Sequence, residues 1–191
     1  HHDLVFAVYD DLSEKNMGAA EFQTFYQMHQ NCFEELRRQD LEIYLKRYPR
    51  FAGLNKADMA LEVEHVLATM RLKRGENLRE FENTHIMRQK GEMIGFYNCT
   101  ADDEVTVNGM MIHNVCIREN MRGKGLGKIL MADAITQCSK PGRDLVLLVE
   151  RTDAKVIRLY EGLGFAIKDP PPMPFTDHFN YVNKYIMFYG D

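Results

Sequence analysis

One segment limits the folds open to this chain more than any other: a strand that runs through a glycine-rich turn into a helix. Residues 115–128 read Val-Cys-Ile-Arg-Glu-Asn-Met-Arg-Gly-Lys-Gly-Leu-Gly-Lys. Val115, Cys116 and Ile117 close a β-forming run, and Leu126 opens a helical pattern in which Ile129, Leu130, Ala134 and Ile135 share one face. Between them, Gly123 and Gly125 allow positive φ and close approach of a ligand to the backbone. The unsatisfied N–H groups of the helix's first turn, with its dipole, favour an anion there. A Walker loop is excluded, because Arg122 stands where its first glycine belongs and Ile129 where its Ser or Thr belongs. The dinucleotide fingerprint also fails, since Lys128 occupies the place of its third glycine.

The flanking pattern is that of one α/β domain. Residues 3–9 read as an opening strand. Phe22, Phe25, Tyr26, Phe33, Leu36, Tyr44 and Leu45 lay an aromatic stripe along a helix, and Asn55 opens a second helix carrying Ala60, Val63, Leu67 and Met70. Strands are predicted at His85–Arg88, Met93–Cys99, Val105–Val107 and Met110–Ile117, with Asn108-Gly109 as a hairpin turn between the last two. Pro141-Gly142 ends the helix 126–138. A buried strand at Leu145–Val149, a helix from Asp153 to Leu163, a strand at Phe165–Ile167, a proline-rich connection at Asp169–Pro174 and a last strand at Tyr181–Tyr189 complete the order. Exposed edges of that last strand would allow a homodimer.

Composition narrows the partners. With 24 Lys+Arg against 28 Asp+Glu the net charge is −4, which argues against a nucleic-acid-coating or membrane-surface protein. Residues 111–160 nevertheless hold nine Lys+Arg and five Asp+Glu, a local excess of positive charge suited to a polyanionic ligand. The four cysteines show neither Cys-x-x-Cys nor Cys/His zinc spacing, so free buried thiols in a reducing cytosol, a cytoplasmic location and no metal site are expected. No run of 18 apolar residues and no signal-peptide pattern occur, and His1 and His2 read as a tag remnant.

Arg122-x-x-Gly125-x-Gly127 after a strand resembles the acyl-CoA pyrophosphate loop, R/Q-x-x-G-x-G/A, of the GNAT superfamily of N-acetyltransferases. Leu159-Tyr160-Glu161-Gly162-Leu163-Gly164-Phe165 resembles that family's L-Y-x-x-x-G-F element. The resemblance covers residues 80–190 as the acetyl-CoA-binding core of a single domain spanning 3–191, with 13–75 as the variable helical, acceptor-side region. It implies an α/β (α+β) fold with a mixed, mostly antiparallel sheet flanked by helices, whose fourth and fifth strands splay. It further implies acetyl-CoA as cosubstrate, its pyrophosphate on Arg122, Gly123, Lys124, Gly125, Leu126, Gly127 and Lys128. The pantetheine arm would lie along Val115, Cys116 and Ile117. Tyr160 stands where the family's tyrosine protonates the departing thiolate, a role open to a phenol of pKa about 10. Two positions depart from the family: Asp153 replaces a frequent asparagine and suits a helix cap, and Met111 stands where histone-modifying members carry a glutamate.

Deprotonating the acceptor remains. An alkylammonium of pKa about 10 costs roughly 4 kcal/mol to neutralise near pH 7. His113, sharing strand parity with Val115 and Ile117, and Glu150, ending the fifth strand, are the candidate bases. Direct attack is expected over an acetyl-cysteine on Cys116. Acids at Glu34, Glu35, Asp102, Asp103, Glu104, Asp169 and Asp177 point to a small cationic amine such as a polyamine, the alternatives being a protein or peptide lysine or N-terminal amine, or an acyl-CoA-binding module without catalysis. A hairpin far from the thioester would favour the peptide acceptor.

Overall fold

The computed structural model describes residues 3–10, 12, 14–76, 81–169 and 181–190. Seven strands form one sheet: β1 (Leu4–Tyr9), β2 (Thr84–Gln89), β3 (Glu92–Asp102), β4 (Gly109–Ile117), β5 (Asp144–Glu150), β6 (Phe165–Lys168) and β7 (Lys184–Tyr189). Their spatial order is β1-β2-β3-β4-β5-β7-β6, and only the β4–β5 pair is parallel. The helices are α1 (Glu14–Met17), α2 (Ala19–Leu45), α3 (Pro49–Ala52), α4 (Lys56–Glu76), α5 (Leu126–Cys138) and α6 (Ala154–Gly162). This is the mixed, mostly antiparallel, helix-flanked sheet that the family resemblance implied.

Strand alternation sends each sheet face to a different layer. Tyr97, Cys99, Met110, Ile112, Leu145 and Leu147 meet Leu126, Leu130, Met131 and Ala134 of α5 on one face. On the other, Phe25 and Met28 of α2 pack on Ile86, Phe96 and Cys116, with the Phe25 and Phe96 rings 4.5 Å apart. Of the stripe along α2, Phe25 and Leu45 are buried and Phe22 and Phe33 pack partly buried against the core, whereas Tyr26, Leu36 and Tyr44 are half-buried; the far end of the helix is closed by α4 through Leu41, Leu45, Met59, Val63 and Leu67.

Three expectations are corrected. Val105–Val107 is not a strand: β3 runs unbroken to Asp102, and the Asp102 carboxylate accepts the Val105 N–H at 3.0 Å, turning the chain before a hairpin pair can form. Val105 and Thr106 are buried instead, Thr106 donating its hydroxyl to Asp144 at 2.8 Å, while Val107 is 80% exposed. The last strand begins at Lys184 and is no edge, because β7 lies between β5 and β6; the dimer edge expected there does not exist. The cysteines are not free. Packing α2 on β4 brings Cys32 and Cys116 to a Cα separation of 6.0 Å, packing α5 on β3 brings Cys99 and Cys138 to 5.9 Å, and both pairs are disulfide-bonded. Among the described residues no group of His, Cys, Asp and Glu is placed to hold a metal, and no helix is long and apolar enough to cross a membrane.

Candidate active site

The site begins where two parallel strands part. β4 and β5 pair from Gly109↔Asp144 only to Ile112↔Leu147. Beyond that point β3 still holds β4 as far as Ile117, and β7 holds β5 as far as Glu150. The result is a V whose inner walls carry backbone groups without a ladder partner in each other, a slot for an extended amide-bearing arm.

A bulge sets what faces that slot. Asn114 has φ +54°, and the β3–β4 register shifts between Phe96 and Asn98, so two residues of β4 oppose one of β3. The bulge breaks the expected parity: Val115 and Ile117 pack toward α5, whereas His113, paired with Asn98, shares the α2 face with Cys116. The His113 ring is hydrogen-bonded to Thr100 Oγ1 at 3.0 Å, and burial holds its pKa down to about 4. It stays neutral at pH 7, below the near-neutral titration expected of it, and is a weak proton acceptor.

At the tip of β4, a 3₁₀ turn at Glu119–Met121 leads into the glycine turn. Gly123 and Gly125 have φ +77° and +78°, and nothing lies within 4 Å of a Cβ placed on either. Gly125 caps α5 without a side-chain hydrogen bond, leaving the helix's first-turn N–H groups open. That geometry fits a pyrophosphate. Lys124 and Lys128 are exposed beside it and Leu126 is buried as its anchor. Arg122 is placed differently from expectation: its guanidinium turns back to the Ile117 carbonyl at 2.9 Å and to Cys32 Sγ at 3.3 Å, bracing the strand end rather than reaching over the loop.

Tyr160 projects from α6 into the core beside Phe165, and burial together with the Asp153 carboxylate pushes its phenol up to about 12. It keeps its proton at neutral pH, as a donor to a thiolate must. Asp153 caps α6 by accepting the Val156 N–H at 3.2 Å, the role its position suggested.

Glu150 ends β5 on the α2 face, but both its oxygens are engaged, by the Lys184 ammonium and by Asn183 Nδ2 at 3.2 Å. Lys184 also donates to Asp40 Oδ2 at 2.6 Å and to the Val182 carbonyl at 3.2 Å. The sequence pattern marks neither Asp40 nor Lys184 as a site residue; the signal they carry is one acid among the buried positions of α2 and one lysine heading an apolar strand. The acids that were singled out do not converge on the V. Glu34 and Glu35 pair with Arg38, Asp169 with Arg151, Glu104 with Tyr181, and Asp177 lies outside the described residues. The hairpin acids sit at the Gly109 end of β4, eight residues and about 26 Å from Ile117.

Beside the tip of β4 and its turn, α2 frames an open cleft of about 640 Å³. Gln23, Gln27, Asn31 and Asn120 line it together with Arg118, Arg122 and Glu119, and Arg118 pairs with Glu92 at 3.3 Å.

The family model described as Acetyltransferase (GNAT) family matches residues 22–165. An uncharacterized N-acetyltransferase, ycf52, of Gracilaria tenuistipitata var. liui is 35% identical over 82 residues, 43% of this chain and 42% of that relative, so the match spans less than half of the relative's length. Among solved structures, Ard1 from Thermoplasma volcanium superimposes with a TM-score of 0.54 at 17% identity, covering 97% of this chain and 96% of its own. The IAA acetyltransferase from Bacillus cereus ATCC 14579 does so with 0.50 at 15%, covering 97% and 98%. Likeness at these identities speaks for the fold.

Proposed function

The chain belongs to the acetyltransferase (GNAT) family, and on that premise we propose that it moves an acetyl group from acetyl-CoA directly to a primary amine carried by a protein or peptide. Acetyl transfer is supported by the parted strands β4 and β5 ending at an uncapped, glycine-rich helix N-terminus. The loop Arg122–Lys128 would hold the pyrophosphate through its backbone, and the inner walls of the V would hydrogen-bond the pantetheine amides. Tyr160 would give its proton to the CoA thiolate as the C–S bond breaks. Cys116 has no free thiol to acetylate while it is bonded to Cys32, which favours direct attack by the amine.

One observation carries the choice of acceptor: the acidic hairpin stands about 26 Å of strand away from the tip of β4, so it offers no carboxylates to a polyamine at the thioester. The cleft that does adjoin the tip suits a peptide. Its carboxamides can donate to and accept from a peptide backbone, and Glu119 stands there beside Arg118 and Arg122, so the cleft gathers no excess of carboxylates for a small polycation. The test is CoA thiol release with acetyl-CoA and a panel of lysine peptides, free-amino-terminus peptides, spermidine, putrescine, aminoglycosides and amino acids. We expect kcat/KM on a peptide at least tenfold above that on spermidine; turnover confined to polyamines would overturn the peptide reading and restore the small-amine one.

Tyr160→Phe removes the proton donor while keeping the ring in the core. Its kcat is expected to fall about 100-fold, with acetyl-CoA affinity within twofold of the parent. Equal turnover would take Tyr160 out of the chemistry.

A further inference from the structure

Helix α2 spans the mouth of the V. At Cys32 it is bonded to the tip of β4, and at Asp40 it reaches Lys184 of β7 beside Glu150, the end of β5. The eight residues between cover about 12 Å of helix, so the stretch Cys32–Asp40 bridges the two diverging strand ends.

The charged cluster at its far end is incomplete. Asp40 is 6% exposed, and its Oδ2 accepts from Lys184, but its Oδ1 is buried with no partner among the described residues. Lys184 has all three N–H groups engaged, by Asp40, Glu150 and the Val182 carbonyl. Glu150 has both oxygens engaged, by Lys184 and Asn183. Two carboxylates against one ammonium leave a net charge of −1 in a buried site, and the one acceptor left over is Asp40 Oδ1. A buried carboxylate oxygen without a donor is costly, and an alkylammonium would supply both the missing hydrogen and the missing charge.

We propose that Asp40 docks the acceptor's ammonium at the mouth of the V through Oδ1 and takes its proton, with Lys184 and Glu150 holding the carboxylate in place. This rests on the reading of the chain as an amine acetyltransferase and on neither acceptor class. The ammonium passes one proton to Asp40, and the freed nitrogen lone pair forms the new C–N bond at the acetyl carbon. The C–S bond breaks with its electrons on sulfur, and the second proton lost by nitrogen balances the one taken up by the thiolate. Acetyl-CoA and R-NH₃⁺ thus give the acetamide, CoA thiol and the proton held by Asp40, which then leaves to solvent. The groups that act on Asp40 are Lys184 from β7, which lowers its pKa, and Glu150 from β5, which raises it through its charge and a side-chain hydrogen bond; burial, the largest influence, acts in the same direction as Glu150, outweighs Lys184 and brings it up to about 6. Asp40 is therefore ionised and ready to accept above that pH and blocked below it.

The experiment compares wild-type protein with Asp40→Asn, Glu150→Gln and Lys184→Gln, using the best amine of the panel above. Asp40→Asn should lower kcat/KM for that amine at least 100-fold, with acetyl-CoA affinity within twofold and a melting temperature within a few degrees. Removing the negative neighbour in Glu150→Gln should move the acidic limb of the kcat/KM profile to lower pH by half a unit or more, and Lys184→Gln should move it to higher pH. Those limb shifts decide the matter if Asp40→Asn does not fold. Undiminished kcat/KM in Asp40→Asn, a loss shared equally with acetyl-CoA binding, or a limb that neither neighbour moves would overturn the proposal while leaving amine acetylation intact. A wild-type protein that binds acetyl-CoA but turns over no amine would instead overturn the underlying reading, and the role of Asp40 with it.

Discussion

Gly125→Glu abolishes acetyl-CoA binding while leaving the fold in place: that is the expected result of titrating the variant with acetyl-CoA in a calorimeter. Gly125 holds φ +78°, where an L side chain costs about 1–2 kcal/mol, yet no atom lies within 4 Å of the Cβ it would gain. The protein itself therefore has room for the substitution. The room is the space through which an anion would approach the open N–H groups of α5, and a carboxylate there meets a pyrophosphate with both bulk and like charge. Kd should rise more than 100-fold, about 2.7 kcal/mol or more, with only a few degrees lost in melting temperature. Gly125→Ala, which adds the backbone strain without the charge, should fall between parent and Glu variant. A Glu variant that binds within threefold of the parent would remove this turn from the cofactor site.

The second large effect is on stability. Cys32 and Cys116 lie 84 residues apart in sequence, and their bond ties α2 to β4. By the loop-closure argument, opening a cross-link over that span costs about 4 kcal/mol, the unfolded chain regaining the freedom the bond denied it. Cys32→Ser should therefore melt about 8–16 °C below the parent. A thiol titration of the parent in denaturant without reductant should find no free cysteine, and that of the variant one, at Cys116. An unchanged melting temperature with four titratable thiols in the parent would show that the bond does not form in solution. The same bond bears on the chemistry, since an acetyl-cysteine at Cys116 requires it to be open.

What could be read in the chain before folding was what depends on neighbours in sequence. Gly123 and Gly125 reveal a positive-φ turn by themselves, and the Leu126 pattern behind them reveals the helix whose N-terminus Gly125 caps. Asp153 declares itself a cap because the N–H it satisfies is three residues on. The helix stripes and most strands followed from periodicity for the same reason.

Two of the misreadings turn on a single local event that alternation does not record. One residue, Asn114, takes a left-handed φ and sends His113 to the opposite face from Val115, so a parity argument carried across it points the wrong way. One carboxylate, Asp102, captures the Val105 N–H and ends a strand that composition alone would have resumed.

The glycine turn ahead of α5 and most of the order of strands and helices were legible in the chain because short-range backbone geometry decides them, whereas Tyr160 was legible only through the family resemblance. Only the tertiary structure decided which side chains meet at the V. Lys184 joins Asp40 across 144 residues and Glu150 across 34, and Cys32 finds Cys116 across 84. It also placed the acidic hairpin at the far end of the strands it connects, away from the tip of β4. Burial and long-range pairing fix the proton chemistry of a carboxylate, and neither exists until the helix has crossed the sheet.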